Sequence, residues 1–191
     1  MIKRTLGLFL KYISIKWKYR GRVSFNGFAV VYAFPDSKIH FKGEGITINS
    51  HPFSNLVGLY QRSVLVARYG GTIEIGANTG ISGSTIYAMD SIAIGERVNI
   101  GGNCKIIDND FHPLHFSQRH PQKPENIKKR PIIIGDDCFI GMNTIILKGT
   151  VLGKNCVVGA GSVVHGIWPD NSIIAGNPAK RIGENKLSDE E

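Results

Sequence analysis

A six-residue rhythm of aliphatic side chains runs through the second half of the chain and limits its fold more than any other feature. Ile134, Ile140, Ile146, Leu152, Val158 and Val164 each lie six residues after the last. Glycine follows directly at Gly135, Gly141, Gly153 and Gly159, and a small residue stands four places on at Cys138, Thr144, Thr150, Cys156 and Ser162. The pattern also appears earlier, at Ile75-Gly76 and Ile81, then after a one-residue slip at Ile94-Gly95, Ile100-Gly101 and Ile106. One inward aliphatic and one small residue in every six describe a short strand and a turn. Each unit must bury its apolar face against the next, so the units stack into a solenoid.

The rhythm breaks once. Ile106 and Ile134 are 28 residues apart, which is not a multiple of six. The break, residues 110–130, contains Asp110-Phe111-His112-Pro113, and chemistry is to be sought there. Upstream, residues 22–70 alternate loosely and read as short strands, and residues 182–191 read as a polar tail. Twenty-three glycines placed at a fixed period argue for repeated turns, not for disorder. The chain has 191 residues, 42% hydrophobic and 20% charged, a single-domain length inside the globular range.

Charge and cysteine usage exclude several classes of function. The net charge is +8, yet seven cations without an acid fall in residues 1–22, leaving +1 for the rest. A chain-wide basic patch is therefore lacking, and no nucleic acid partner is expected. Within that segment Ile2, Leu6, Phe9, Ile13 and Trp17 recur at helical spacing. Residues 1–21 are thus expected to form a basic amphipathic helix, suited to an anionic membrane surface or to packing against its own or a neighbouring subunit. No apolar run is long enough to span a bilayer, and no signal-peptide cleavage site follows Leu6–Leu10. Cys104, Cys138 and Cys156 share the small-residue repeat position and read as buried thiols, neither disulfide partners nor zinc ligands. A reducing cytoplasm is the expected compartment.

The tandem Ile-Gly-x-x-x-x units resemble the hexapeptide-repeat acyltransferases over roughly residues 39–183. Ile107–Leu114, with its His-Pro pair, is similar to the signature of the sugar, maltose and galactoside O-acetyltransferase branch. Pro131–Gly141, Gly159–Val164 and Gly176–Lys180 complete that branch's layout, which also resembles the acyltransferases of polysaccharide clusters. The resemblance implies an all-β fold: a left-handed parallel β-helix spanning 22–181, with a short N-terminal helix and one extended active-site loop. It also implies acetyl-CoA as acyl donor, no metal, a sugar or oligosaccharide acceptor, and a homotrimer with active sites between subunits.

Carried onto this chain, the resemblance makes His112 the general base, a role suited to imidazole because it titrates near operating pH. Asp110 either steadies the imidazolium or caps the loop. The Met142 backbone N–H corresponds to the oxyanion donor, and Phe139 and Gly141 to residues beside the acyl and pantetheine groups. Ala160 and Gly161 offer backbone groups to pantetheine, while Lys180 and Arg181 meet the nucleotide phosphates. Related members carry a cation where this chain has His165-Gly166, so Lys128, Lys129 and Arg130 are further phosphate candidates. Ser82 and Ser84 align near an acceptor-binding asparagine of the family, and Asn55 is another acceptor candidate.

Four other readings compete with this one. Amino-sugar N-acyltransferases would use the same base. Serine acetyltransferases carry a long helical N-terminal domain that 21 residues cannot supply. The γ-type carbonic anhydrases bind zinc through three histidines, but His115 and His120 lie in the irregular segment without a convincing third ligand. A purely structural, membrane-docking β-helix leaves the His112 segment unexplained.

Overall fold

The computed structural model describes residues 14–186. From Val23 to Trp168 the backbone passes through three faces in turn, one short strand in each, and returns to the first. Face A comprises Val23–Asn26, Ile46–Asn49, Gly80–Ser82, Asn99–Ile100, Phe139–Ile140, Val157–Val158 and Ser172–Gly176, closed by Ala179–Glu184. Face B comprises Val30–Ala33, Val64–Ala67, Thr85–Ala88, Lys105–Ile107, Ile145–Leu147 and Val163–Val164. Face C comprises Lys38–Phe41, Thr72–Ile75, Ser91–Ile94, Ile132–Ile134, Val151–Leu152 and Ile167–Trp168. Successive coils pair in parallel and in register: Ile100 lies opposite Ile81 and Ile140, and Ile140 opposite Val158.

In-register stacking gives the six-residue rhythm its cause. Ile140, Ile146, Val158 and Val164 point inward with no exposed surface, and so do Cys138, Thr144, Thr150, Cys156 and Ser162. The three cysteines are free and buried, as their repeat position predicts. Because the same position recurs in every coil, each inward side chain rests on its equivalents above and below.

The repeat glycines stand at the turns, as expected, but they do not supply the left-handed residue there. The left-handed turn residues at the corners between faces C and A are Asn78, Arg97, Asp137, Asn155 and Asn171, with φ between 56° and 60°. Asparagine and aspartate tolerate that conformation better than most residues. Arg97 is the departure, and its guanidinium grips Asp137 at 2.6 and 2.8 Å. Gly141 is needed instead for close approach, since a Cβ there would lie 2.5 Å from the Ala160 nitrogen of the next coil.

Both ends differ from the sequence-based boundaries. Residues 14–18 are helical and 19–22 form turns, while most of the expected 1–21 helix lies outside the described residues. Trp17, assigned to the apolar face, is 76% exposed. Ile15 and Tyr19 pack on the core instead, and the Tyr19 ring meets Phe41 edge-on at 4.8 Å. At the other end the polar tail begins later than residue 182. Ala179–Glu184 turns back as an antiparallel strand on Ser172–Gly176, which satisfies that edge's backbone groups.

Removing the inward aliphatic from one coil tests the stacking. Ile140→Ala is expected to cost about 2–5 kcal/mol, read as a lower urea midpoint by circular dichroism.

Candidate active site

Residues 108–130 leave the coil between faces B and C and return to it, and their neck is firmly tied. The buried Asp108 carboxylate accepts the Met89 and Asp90 N–H groups, each at 2.8 Å. Burial pushes the Asp108 carboxyl above its usual range, against the pull of those N–H donors and of Asn109. The Asp110 N–H bonds to the Lys128 carbonyl and the Arg130 N–H to that of Asp108, with an antiparallel bridge between Asn109 and Lys129. Buried Ile127 and the Phe111 ring, 4.8 Å from that of Tyr87, pin the arm to the solenoid.

His112 sits on this arm in a sharp turn. Phe111 has φ +58°, and the His112 N–H donates to the Asp110 carbonyl at 2.6 Å. The imidazole Nδ1 lies 2.6 Å from Gln122 Oε1, while Gln122 Nε2 donates to the Phe111 carbonyl at 2.9 Å. These two contacts decide the tautomer. A carbonyl oxygen only accepts, so the Gln122 amide nitrogen faces Phe111 and its oxygen faces the ring. Nδ1 therefore carries the proton, and Nε2 keeps the basic lone pair. A groove of about 510 Å³ opens here, lined by Asp110, His112, Pro113, Leu114, Arg119, His120 and Gln122.

Asp110 does not touch the imidazole through its carboxylate. Oδ1 is paired with Lys148, and Oδ2 is buried with no hydrogen-bond partner. Of the two roles open to Asp110 in the sequence, these contacts fit the one that holds the arm. Gln122 meets the ring instead. Neither Gln122 nor Lys148 was identified from sequence: Gln122 lies ten residues from His112 in irregular chain, and Lys148 follows an ordinary repeat strand.

The other candidates occupy the edge between faces A and B. Gly141, Met142, Ala160 and Gly161 form its corners, and Phe139 stands outward on face A, 50% exposed. Among the described residues the Met142 and Ala160 N–H groups have no hydrogen-bond partner, so both are free to meet a ligand oxygen. Ser82 and Asn55 come together, with Asn55 Nδ2 donating to Ser82 Oγ at 3.0 Å. Ser84 is a correction. It is fully buried, its hydroxyl donates to the Ser82 and Gly101 carbonyls and accepts the Cys104 N–H, and it cannot reach an acceptor.

Lys180 and Arg181 are exposed on the closing strand, where Arg181 lies 3.9 Å from Glu184. A second group of cations, Lys128, Lys129, Arg130 and Lys148, lines a groove of about 620 Å³ together with His165, Leu114 and Leu147. Within one chain, then, His112 stands on the B–C edge and Met142 on the A–B edge, and the structure does not bring them together. His115 bonds Ser117 at 2.7 Å and stacks on Phe116. Among the described residues no cluster of three or more His, Cys, Asp or Glu is placed to hold a metal.

The parallel stack of six-residue coils over three faces bears out the all-β solenoid read from the sequence. Residues 131–165 match the family model described as the hexapeptide repeat of succinyl-transferase, so that segment carries hexapeptide repeats. The galactoside O-acetyltransferase of Escherichia coli K12 is 34% identical over 117 residues, covering 61% of this chain and 56% of that protein. The polySia-specific acetyltransferase NeuO superposes with a TM-score of 0.55 at 26% identity, covering 88% of this chain and 74% of the other. A galactoside acetyltransferase solved with coenzyme A gives 0.50 at 25%, covering 87% and 66%. The resemblance to sugar O-acetyltransferases is thereby borne out. The chain spans about half to two thirds of the length of the first curated relatives it matches.

The Gln122 contact is expected to be visible in the imidazole itself. In ¹⁵N spectra neutral His112 should be the Nδ1–H tautomer in the wild type and a mixture of tautomers in Gln122→Leu.

Proposed function

We propose that the chain is an acetyl-CoA-dependent O-acetyltransferase acting on a sugar or polysaccharide precursor, with His112 as general base. The observation that carries this reading is the His112 ring, held by Gln122 with Nε2 left basic on an arm that stands out from the solenoid. The named activities of the galactoside and polysialic acid enzymes support a sugar acceptor, and the coenzyme A complex supports the donor. We take the winding to be left-handed and the assembly to be a homotrimer, as in the family the chain resembles. A trimer explains why His112 and Met142 lie on different edges: the arm of one subunit would meet the A–B edge of the next. On this reading the site works in the cytoplasm.

In the reaction, Nε2 takes the proton of an acceptor hydroxyl as its oxygen attacks the thioester carbonyl. A C–O bond forms, the C–S bond breaks, and coenzyme A leaves as a thiolate that recovers the proton from the imidazolium. The unpartnered Met142 N–H receives the carbonyl oxygen as it gains charge, a contribution of a few kcal/mol for such donors. Phe139, Gly141, Ala160 and Gly161 line the path of pantetheine. Two cationic groups compete for the nucleotide phosphates, Lys180 with Arg181 and the Lys128–Arg130 groove. Asp110 acts through Lys148 to hold the arm, and Asn55 and Ser82 face the acceptor.

The N-terminal segment adds a surface role. Lys16, Lys18, Arg20 and Arg22 are all exposed around Trp17. An interfacial tryptophan among cations suits an anionic bilayer and supports reading the inner membrane face as its place of work.

Two measurements check these readings. His112→Ala is expected to lower acetyl transfer by about 10²–10⁴-fold, followed as coenzyme A release with a mixed panel of sugars; transfer at the wild-type rate refutes the base assignment. Deleting residues 1–20 is expected to abolish co-sedimentation with phosphatidylglycerol vesicles, and unchanged binding retires the membrane surface.

A further inference from the structure

At the A–B edge the small residue of each repeat holds the turn of the following coil. Ser84 Oγ donates to the Gly101 carbonyl at 3.0 Å and accepts the Cys104 N–H at 2.9 Å, so it bridges both ends of the turn 101–104. One coil on, Cys104 Sγ donates to the Gly141 carbonyl at 3.2 Å. In the coil after that, Thr144 Oγ1 donates to the Gly159 carbonyl at 3.3 Å. Ser84, Cys104 and Thr144 are all fully buried, so each bond pins a corner carbonyl to the core.

A trans peptide is planar and carries its C=O and N–H on opposite sides. A carbonyl pinned inward therefore aims the next residue's N–H out of the solenoid. The N–H groups aimed in this way belong to Gly102, Met142 and Ala160. Gly102 is covered, since a Cβ there would come within 2.8 Å of Val57 Cγ1. Met142 and Ala160 keep unpartnered N–H groups among the described residues.

Of these two corners, the one at Met142 hangs on a single contact. The Gly159 carbonyl has a second donor in Ser162 Oγ at 2.6 Å, whereas among the described residues the Gly141 carbonyl bonds Cys104 alone. The backbone on either side is fixed. The Gly141 N–H donates to the Val158 carbonyl at 2.7 Å, and the Met142 carbonyl accepts the Gly161 N–H at 2.8 Å. Only the peptide between them is left to turn, and Gly141, lacking a Cβ, resists that little. The thiol is committed to this carbonyl, because its next acceptor, the Gly102 carbonyl, lies at 3.9 Å. Burial pushes the Cys104 thiol above its usual range, against the pull of the Thr144 N–H, so the sulfur keeps the proton it donates.

We propose that Cys104 is a positioning residue for acyl transfer: its S–H holds the Gly141 carbonyl inward and so keeps the Met142 N–H aimed at the thioester oxygen. This role rests on the acyl-transfer reading above. Cys104 touches no reacting atom and acts through one peptide. The thioester oxygen gains its charge only as the acceptor attacks. A loosened N–H therefore weakens the transition state more than the bound donor, lowering kcat and sparing the KM for acetyl-CoA.

The test measures kcat and KM by coenzyme A release for Cys104→Ala, Cys104→Ser and Thr144→Val, with circular dichroism melts to confirm folding. The Met142 amide is followed in parallel in ¹H–¹⁵N spectra as acetyl-CoA is added. Cys104→Ala is expected to lower kcat about tenfold, less than the roughly 10²–10³-fold loss of a whole oxyanion donor, with KM unchanged. Cys104→Ser should restore kcat, and Thr144→Val, an equal deletion at a corner that keeps Ser162, should alter neither constant. The Met142 amide proton should move downfield in the wild type and Cys104→Ser but not in Cys104→Ala. Wild-type kcat in Cys104→Ala, a serine variant as slow as the alanine one, or an equal fall in Thr144→Val overturns the proposal. Transfer with an unmoved wild-type Met142 amide refutes the positioning role alone. A Met142 amide that moves without any acetyl transfer refutes the acyl-transfer reading alone, and the amide shift in Cys104→Ala then decides whether the thiol aims the N–H.

Discussion

Everything in this molecule depends on parallel strands of adjacent coils pairing in register at the ordinary spacing of about 4.8 Å. At that distance backbone meets backbone at the corners, and Gly101 and Gly141 have no room for a side chain. Inside, the same spacing lays each aliphatic on its counterpart in the next coil, so the core is a stack of equivalent layers. Extra chain can leave such a stack only at a corner, since a residue added within a strand would turn every inward side chain outward. The two long departures obey that constraint, one after Asn49 and one after Ile107.

Those departures supply the chemistry that the repeat lacks. The repeat is chemically monotonous, aliphatic inside and turn residues at its corners. The arm after Ile107 adds an imidazole with a fixed tautomer, and the segment after Asn49 adds aromatic rings and an amide. Both are tied back to the solenoid by side chains: Asp108, Lys129 and Lys148 hold the first, and Asn103 holds the second through Tyr60 and Gly58. Such ties give irregular chain the rigidity a binding site needs.

The sequence made the solenoid legible because its core positions repeat at a period no other element imitates. His112 was legible for the complementary reason, as a His-Pro pair inside the break between Ile106 and Ile134. What stayed hidden depends on contacts between residues far apart in the chain. Lys148 meets Asp110 across 38 positions and Tyr60 meets Asn143 across 83, and no local pattern encodes either. Ser84 misled because alignment with a family position carries no information on burial, and here it is buried against three backbone partners. The glycines marked the turns, but close approach to the next coil, which is what requires them there, leaves no separate signal in the sequence.

The closing strand, Ala179–Glu184, reverses the direction of the chain on face A. A stack of parallel coils has no intrinsic length: its last rung exposes the same bonding groups that received the rung before. Another copy, or a misfolded fragment, could dock there and continue the column toward a fibre. An antiparallel rung presents that geometry in the wrong polarity and ends face A's growth with backbone alone. Six residues thereby close the end of face A against a further parallel rung.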